Sequence, residues 1–275
     1  MARASFLCVS LLCLLTVGGA PVGGPAPPPG GKDDYLSTAL TEAGKLTYTA
    51  PKEAAAVYRE LLRGALAQKD RIKVQVLLAK CLQRIEGEGA AARLAWKDIR
   101  DAYPDDPVSL DASYRLGELY SCILPDNLEP SLPDSLEAFE YIVKKAPAGR
   151  MITILAHVNL GQIHEQMKAP EKALAEYQTV YDLQDADLEV PGEAANRPEP
   201  ERDRAMKRLK DQVGKVRAGA IPRMIAVCRR KSAEVSISTL NALQSRYPDD
   251  AKLKEAIEAA LKSYVPASQP ASEVP

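Results

Sequence analysis

Bulky aromatics, histidine and cysteine are all rare in this sequence, and each scarcity closes off a class of protein. Two Phe and one Trp among 275 residues leave little of the large aromatic surface that favours a sheet. Ala and Leu are plentiful instead, a balance suited to closely packed helices. His157 and His164 are the only histidines, seven residues apart on one helical segment. Their rings point the same way but stand about 10 Å apart along the axis at 1.5 Å per residue, too far to share a metal. No metalloprotease helix pair, nucleophile elbow or phosphate loop is present, and Gly87-Glu88-Gly89 lacks the strand context and the Lys that phosphate binding needs. The reading is therefore non-enzymatic, with no metal and no cofactor.

Of the five cysteines, Cys8 and Cys13 lie in the first twenty residues. Cys81, Cys122 and Cys228 form an odd, widely spaced set, which is no disulfide framework. They read as small buried apolar residues, with one Cys81–Cys122 bridge left open as the alternative.

Long apolar runs are also missing beyond the N-terminus. There, Arg3 precedes an uncharged apolar core from Phe6 to Val17, and Gly18-Gly19-Ala20 supplies small residues. This is the layout of a secretory signal peptide over residues 1–20, cleaved after Ala20. Twelve apolar residues are short against the roughly 20 of a spanning helix, so a retained N-terminal anchor is the lesser alternative. No Cys follows the small-residue triplet, which leaves lipid anchoring unsupported. Residues 21–33 form a Pro/Gly-rich linker and 264–275 a tail of Pro, Ser and Ala. Neither has the apolar period to bury anything, so both are expected to be flexible.

Between the tails, apolar residues recur at three- and four-residue spacing and strand-like alternation is absent. Ser113-Tyr114-Arg115-Leu116-Gly117-Glu118-Leu119-Tyr120 leads to Ser135 through Phe139, and Asn159-Leu160-Gly161-Gln162-Ile163-His164 leads to Ala173 through Tyr177. Ala92, Trp96, Ile99 and Pro104 match Ser135, Phe139, Ile142 and Pro147 step for step, and Ser236, Leu240, Leu243 and Pro248 match them again. A small residue lets two helices approach, a large one a turn later fills the gap between hairpins, and Pro forces the turn. His164 takes the place of Tyr120 in this pattern, which assigns it to packing.

These residues resemble the tetratricopeptide repeat (TPR) family, well over 34–184 and loosely over 220–263, although the spacing of Trp96, Phe139 and Tyr177 exceeds the family's period of about 34 residues. The resemblance implies an all-α fold, a right-handed α-solenoid of about five antiparallel helix hairpins with a concave ligand groove. The recurring Tyr-Pro-Asp-Asp at 103–106 and 247–250 is similar to exported bacterial members that work at the cell envelope. The function implied is an exported, periplasmic or secreted, scaffold that binds a protein or peptide partner in its groove. Groove candidates are the first-helix residues not claimed by packing: Tyr114, Arg115, Glu118, Asn159, Gln162 and Glu165.

Two insertions interrupt the rhythm, Leu124–Pro133 between the helices of the third unit and a loop over 185–200. The first is read as a surface loop or a wall of the ligand site. The segment 201–263 then holds a basic helix, a last TPR-like hairpin and a capping helix. From Arg202 to Lys231 eleven basic residues face only Asp203 and Asp211, in a chain whose net charge is −1. Met206, Leu209, Val213 and Val216 make this stretch amphipathic. Its apolar stripe is expected to dock on the last repeat, while Arg204, Lys207, Arg208, Lys210 and Lys215 form a polyanion patch, for anionic lipid or an acidic partner, in an alternative role as an envelope adaptor. Nucleic acid is not expected, since no aromatic stacking platform is interleaved with the charges.

Overall fold

The computed structural model describes residues 32–121, 129–190, 192–230 and 232–264. The signal-like segment, nearly all of the linker, Cys122, the insertion up to residue 128 and the tail from residue 265 lie outside the described residues. Those residues are all-helical, with no strand among them, and successive helices pack as neighbours along the chain. The arrangement is compatible with an α-solenoid.

Helices α1 (Lys32–Thr49) and α2 (Pro51–Arg63) form the first antiparallel pair, followed by α3 (Gln68–Leu82) with α4 (Gly89–Ala102), α5 (Val108–Ser121) with α6 (Leu132–Lys145), and α7 (Met151–Gln166) with α8 (Pro170–Asp182). After a 3-10 turn at Asp185–Asp187 and the short α9 (Gly192–Ala195) comes α10 (Glu199–Cys228), then α11 (Ala233–Arg246) and α12 (Ala251–Lys262). Helix α1 starts two residues inside the expected linker, and the expected loop over 185–200 carries the 3-10 turn, α9 and the start of α10. Helices α2, α6, α8 and α10 each place a Pro in the first turn, where the missing N–H has no intrahelical partner to lose. Leu132 and Pro133, read as the end of an insertion, are the first turn of α6.

The small–large–large triplets are buried in every second helix that carries them. Ala54, Tyr58 and Leu61, Ala92, Trp96 and Ile99, Ser135, Phe139 and Ile142, Ala173, Tyr177 and Val180, and Ser236, Leu240 and Leu243 are all buried. The small members do more than leave room. The Ser135 hydroxyl donates to the Gly117 carbonyl at 2.8 Å, closing α6 onto α5. The Leu-Gly pairs have a steric cause: a Cβ at Gly117 would lie 2.5 Å from ring carbons of Phe139, and one at Gly161 would lie 2.5 Å from Tyr177. Gly149 plays the same part toward backbone, since a Cβ there would collide with the Asp187 carbonyl, and Glu189 N–H donates to the Gly149 carbonyl at 3.1 Å.

Helix α10 is 30 residues long, about 45 Å, and tolerates Pro222 on its exposed side. Its first half buries Leu209 and Val213 in one cluster with Ile154, Val180 and Leu188, with Met206 and Val216 beside them. The amphipathic stripe thus docks on the α7/α8 pair. Its second half buries Met224, Val227 and Cys228 with Leu240, Leu243, Leu253 and Ile257 of α11 and α12. Cys81 is a free, buried thiol beside the Thr47 hydroxyl, and burial pushes its pKa up. His164 is buried with Nδ1 unpartnered, and burial lowers its pKa. His157 Nδ1 lies 2.6 Å from a Glu176 carboxylate oxygen, tying α7 to α8.

Candidate binding groove

First helices touch one another across the hairpins: α1 meets α3, α5 meets α7 and α7 meets α10. They form a shared face distinct from the buried triplets of α2, α4, α6 and α8. On that face a cavity of about 340 Å³ opens between α3, α5 and α7. Its apolar lining is Val76, Val108, Met151, Ile152 and Leu155, all half-buried, with Trp96 behind them. Half-buried aliphatics gathered around one cavity are surface that a partner can still desolvate. Charge is carried by Lys80, Asp111 and Arg115 at the same cavity. Asp111 is solvent-accessible but walled in by the concave surface, so desolvation raises its pKa, and the cations Arg115 and Lys80 oppose that rise.

The structure brings Tyr114 and Arg115 to this cavity. Tyr114 packs edge-on against Phe139 at 5.6 Å, and its hydroxyl interacts with the Asn159 side chain; burial first, then the Glu118 charge, raise its pKa. Asn159 Nδ2 also donates to the Leu155 carbonyl at 2.9 Å. Arg115 pairs with Glu118 at 2.8 Å along the helix, leaving both solvent-accessible.

Gln162 and Glu165 stand at a second cavity, of about 360 Å³, completed by Gln166, Arg223 and Arg230. Glu165 is engaged from three sides. Tyr177 donates to Oε1 at 2.5 Å, Arg230 Nη2 approaches Oε2 at 2.6 Å, and Arg223 Nη1 lies 3.9 Å from Oε1. Its side chain is only 12% exposed. Its role in the described residues is to hold α7, α8 and α10 together.

Ile152 and Leu155, with Val108 and Asp111 on the facing helix, were absent from the sequence-derived candidates. Their signal is the stripe Ile152, Leu155, Asn159, Gln162 and Gln166 at three- and four-residue spacing, which places them on one face of α7. Arg223 and Arg230 were assigned only to the basic segment; nothing in the sequence connects them to Glu165.

In the basic patch, Arg204, Lys207, Arg208 and Lys215 are exposed, share one face of α10 by spacing, and have no ion-pair partner among the described residues. Lys210 departs from this group, lying 3.9 Å from Asp185. Arg217 also reaches Asp185, at 3.1 Å, and donates to the Leu183 carbonyl. Those two cations fasten α10 to the 183–187 segment. Among the described residues no group of His, Cys, Asp or Glu is arranged to hold a metal, and no helix is long and apolar enough to cross a membrane. No protein-family model and no curated protein matches the chain.

Proposed function

We propose that this protein is an exported, non-enzymatic interaction scaffold of the TPR type, whose hairpins α1/α2, α3/α4, α5/α6, α7/α8 and α10/α11 make five repeats with α12 as cap. The observation that carries the reading is the cavity between α3, α5 and α7, where the aliphatic side chains of Val76, Val108, Ile152 and Leu155 stay half-exposed around one concavity. A packed array has no folding reason to leave these aliphatics together in one concavity, whereas a partner segment has every reason to cover them.

The test is selection of a random twelve-residue peptide library on the mature chain. Peptides should be enriched on the wild type and lost on Ile152→Glu/Leu155→Glu, with circular dichroism unchanged. Trp96 is the chain's single Trp and stands behind this cavity, so binding should also change its fluorescence. Enrichment that survives the double substitution would refute the groove as the site.

A second reading rests on Arg204, Lys207, Arg208 and Lys215: four exposed cations on one helix face suit an anionic lipid surface and an adaptor role. Vesicles of 30% phosphatidylserine should co-sediment the protein at 50 mM salt and release it at 500 mM, where the screening length falls below about 5 Å. Equal sedimentation at both salts, or none at either, rejects it.

A further inference from the structure

The groove does not end at its apolar cavity. The face of α7 that carries Ile152 and Leu155 continues through Asn159 and Gln162 to Gln166, and there meets Arg223 of α10 and Arg230 of the turn that follows it. Arg223 and Arg230 are about half exposed, against 12% for Glu165. Two guanidinium groups thus converge on one sunken carboxylate, which has already accepted the Tyr177 hydroxyl. Beyond Arg230 a further cavity, of about 260 Å³, is lined by Lys168 as well as Glu165. The corner therefore sets three cations against one anion. Glu165 takes one guanidinium nitrogen from each arginine, and a guanidinium has five N–H donors. The donors left over, with the Gln162 and Gln166 amides, border the open cavity.

A surplus of oriented, half-exposed guanidinium next to neutral amides is a place for a carboxylate, whose two oxygens match the guanidinium fork. Along the apolar cavity the cations are offset, Lys80 by Asp111 and Arg115 by its pair with Glu118, so the cationic surplus lies at the Arg223, Arg230 and Lys168 corner. Resting on the groove reading above, we infer that the partner is an extended peptide segment. It places an aliphatic side chain on Val108, Ile152 and Leu155, and about four residues further along an Asp or Glu against Arg223 and Arg230. The spacing follows from the frame. Leu155 to Gln162 is about 10 Å along α7, and α7 to α10 is a further 8–10 Å across, about one helix-to-helix distance. The diagonal of about 14 Å is spanned by about four extended residues. Glu165 is a positioning residue in this scheme, holding the arginines in place without meeting the peptide.

The experiment is the same twelve-residue library, selected in parallel on wild type, Arg223→Gln/Arg230→Gln, and Arg229→Gln as a control that removes an exposed charge outside both cavities. Wild type and the control should both enrich peptides with Asp or Glu three to five positions from Leu, Ile or Val. The double variant should still enrich the aliphatic position but lose the acidic one. A synthetic peptide of the enriched sequence should bind the wild type at least about tenfold more tightly than its Glu→Gln form, with Trp96 fluorescence as the readout. On the double variant the two forms should bind alike. If peptides are enriched and depend on Ile152 and Leu155 but show no acidic position, the groove stands and this inference falls. If no peptide is enriched over a helical control protein, both fall.

Discussion

Gly117→Ala is expected to destabilise the fold while Gly214→Ala stabilises it, although both lie inside helices. At Gly214 nothing stands within 4 Å of a new Cβ, so the substitution keeps only the gain in helix propensity, about 0.5–1 kcal/mol. At Gly117 the Cβ would sit 2.5 Å from Phe139 ring carbons. That ring is fully buried, among Ile142, Leu160 and Ile163, and has nowhere to move. Overpacking of about 1–3 kcal/mol outweighs the propensity gain, leaving a net loss of about 1–2 kcal/mol. Removing the ring itself, Phe139→Ala, should cost about 3–5 kcal/mol, a large part of the 5–15 kcal/mol typical of a domain. Urea titration followed by circular dichroism gives all three values. Phe139→Leu in the Gly117→Ala background should recover part of the loss, because the smaller side chain makes room for the methyl group. Strict additivity of the two substitutions, or Gly117→Ala as stable as Gly214→Ala, would show that the Leu-Gly pair is not a seat for the ring.

That seat was legible in the sequence because it is local. Gly117 and Phe139, or Gly161 and Tyr177, are separated by one hairpin, and the 3.6-residue period marks which side chains meet. The triplets were legible for the same reason. Glu165 was not: its surface-like position in the repeat gives no sign that Arg223, on a helix beginning more than thirty residues later, and Arg230, just past the end of that helix, occupy its carboxylate. Lys210 and Arg217 escaped in the same way, since their partner Asp185 lies in a segment without periodicity. The cavity between α3, α5 and α7 was half legible. Tyr114 and Arg115, which line it, were named by elimination from packing, whereas Ile152 and Leu155 were overlooked because apolar residues on a helix read as core until the neighbouring helix fails to cover them.

Loss of one carboxylate at the last seam should loosen α11 and α12 while leaving the middle of the array protected. Asp182, at the end of α8, accepts from the Tyr247 hydroxyl and pairs with Arg246 at 2.5 Å. Tyr181 donates to Asp250 and packs edge-on against Tyr247 at 5.0 Å. Asp250 in turn caps α12 through the Leu253 N–H at 2.9 Å. Arg246 is half exposed, so its ion pair adds little; the cost of Asp182→Ala comes from losing the charged acceptor of the half-buried Tyr247 hydroxyl, at most about 1.5–3 kcal/mol. Because α11 and α12 meet the array behind them through α10 and through these bonds to the end of α8, the loss stays local in a one-dimensional array. Hydrogen exchange should accelerate in α11 and α12 and stay unchanged in α2 to α6; a uniform increase along the chain would contradict the seam. The pH dependence has two arms. The Leu253 N–H bond, then the Tyr181 hydroxyl, hold the Asp250 pKa below its usual value, so its contribution is present above about pH 4 and disappears as pH falls through the lowered value. Burial, then the bond to Asp182, push Tyr247 up to about 12. Its contribution is complete below about pH 10 and disappears as pH rises toward 12. Tyr247→Phe should shrink the alkaline arm, to which the raised Tyr177 and Tyr181 hydroxyls also contribute, and leave the acid arm intact; an alkaline arm of unchanged size in that variant would exclude Tyr247 from it.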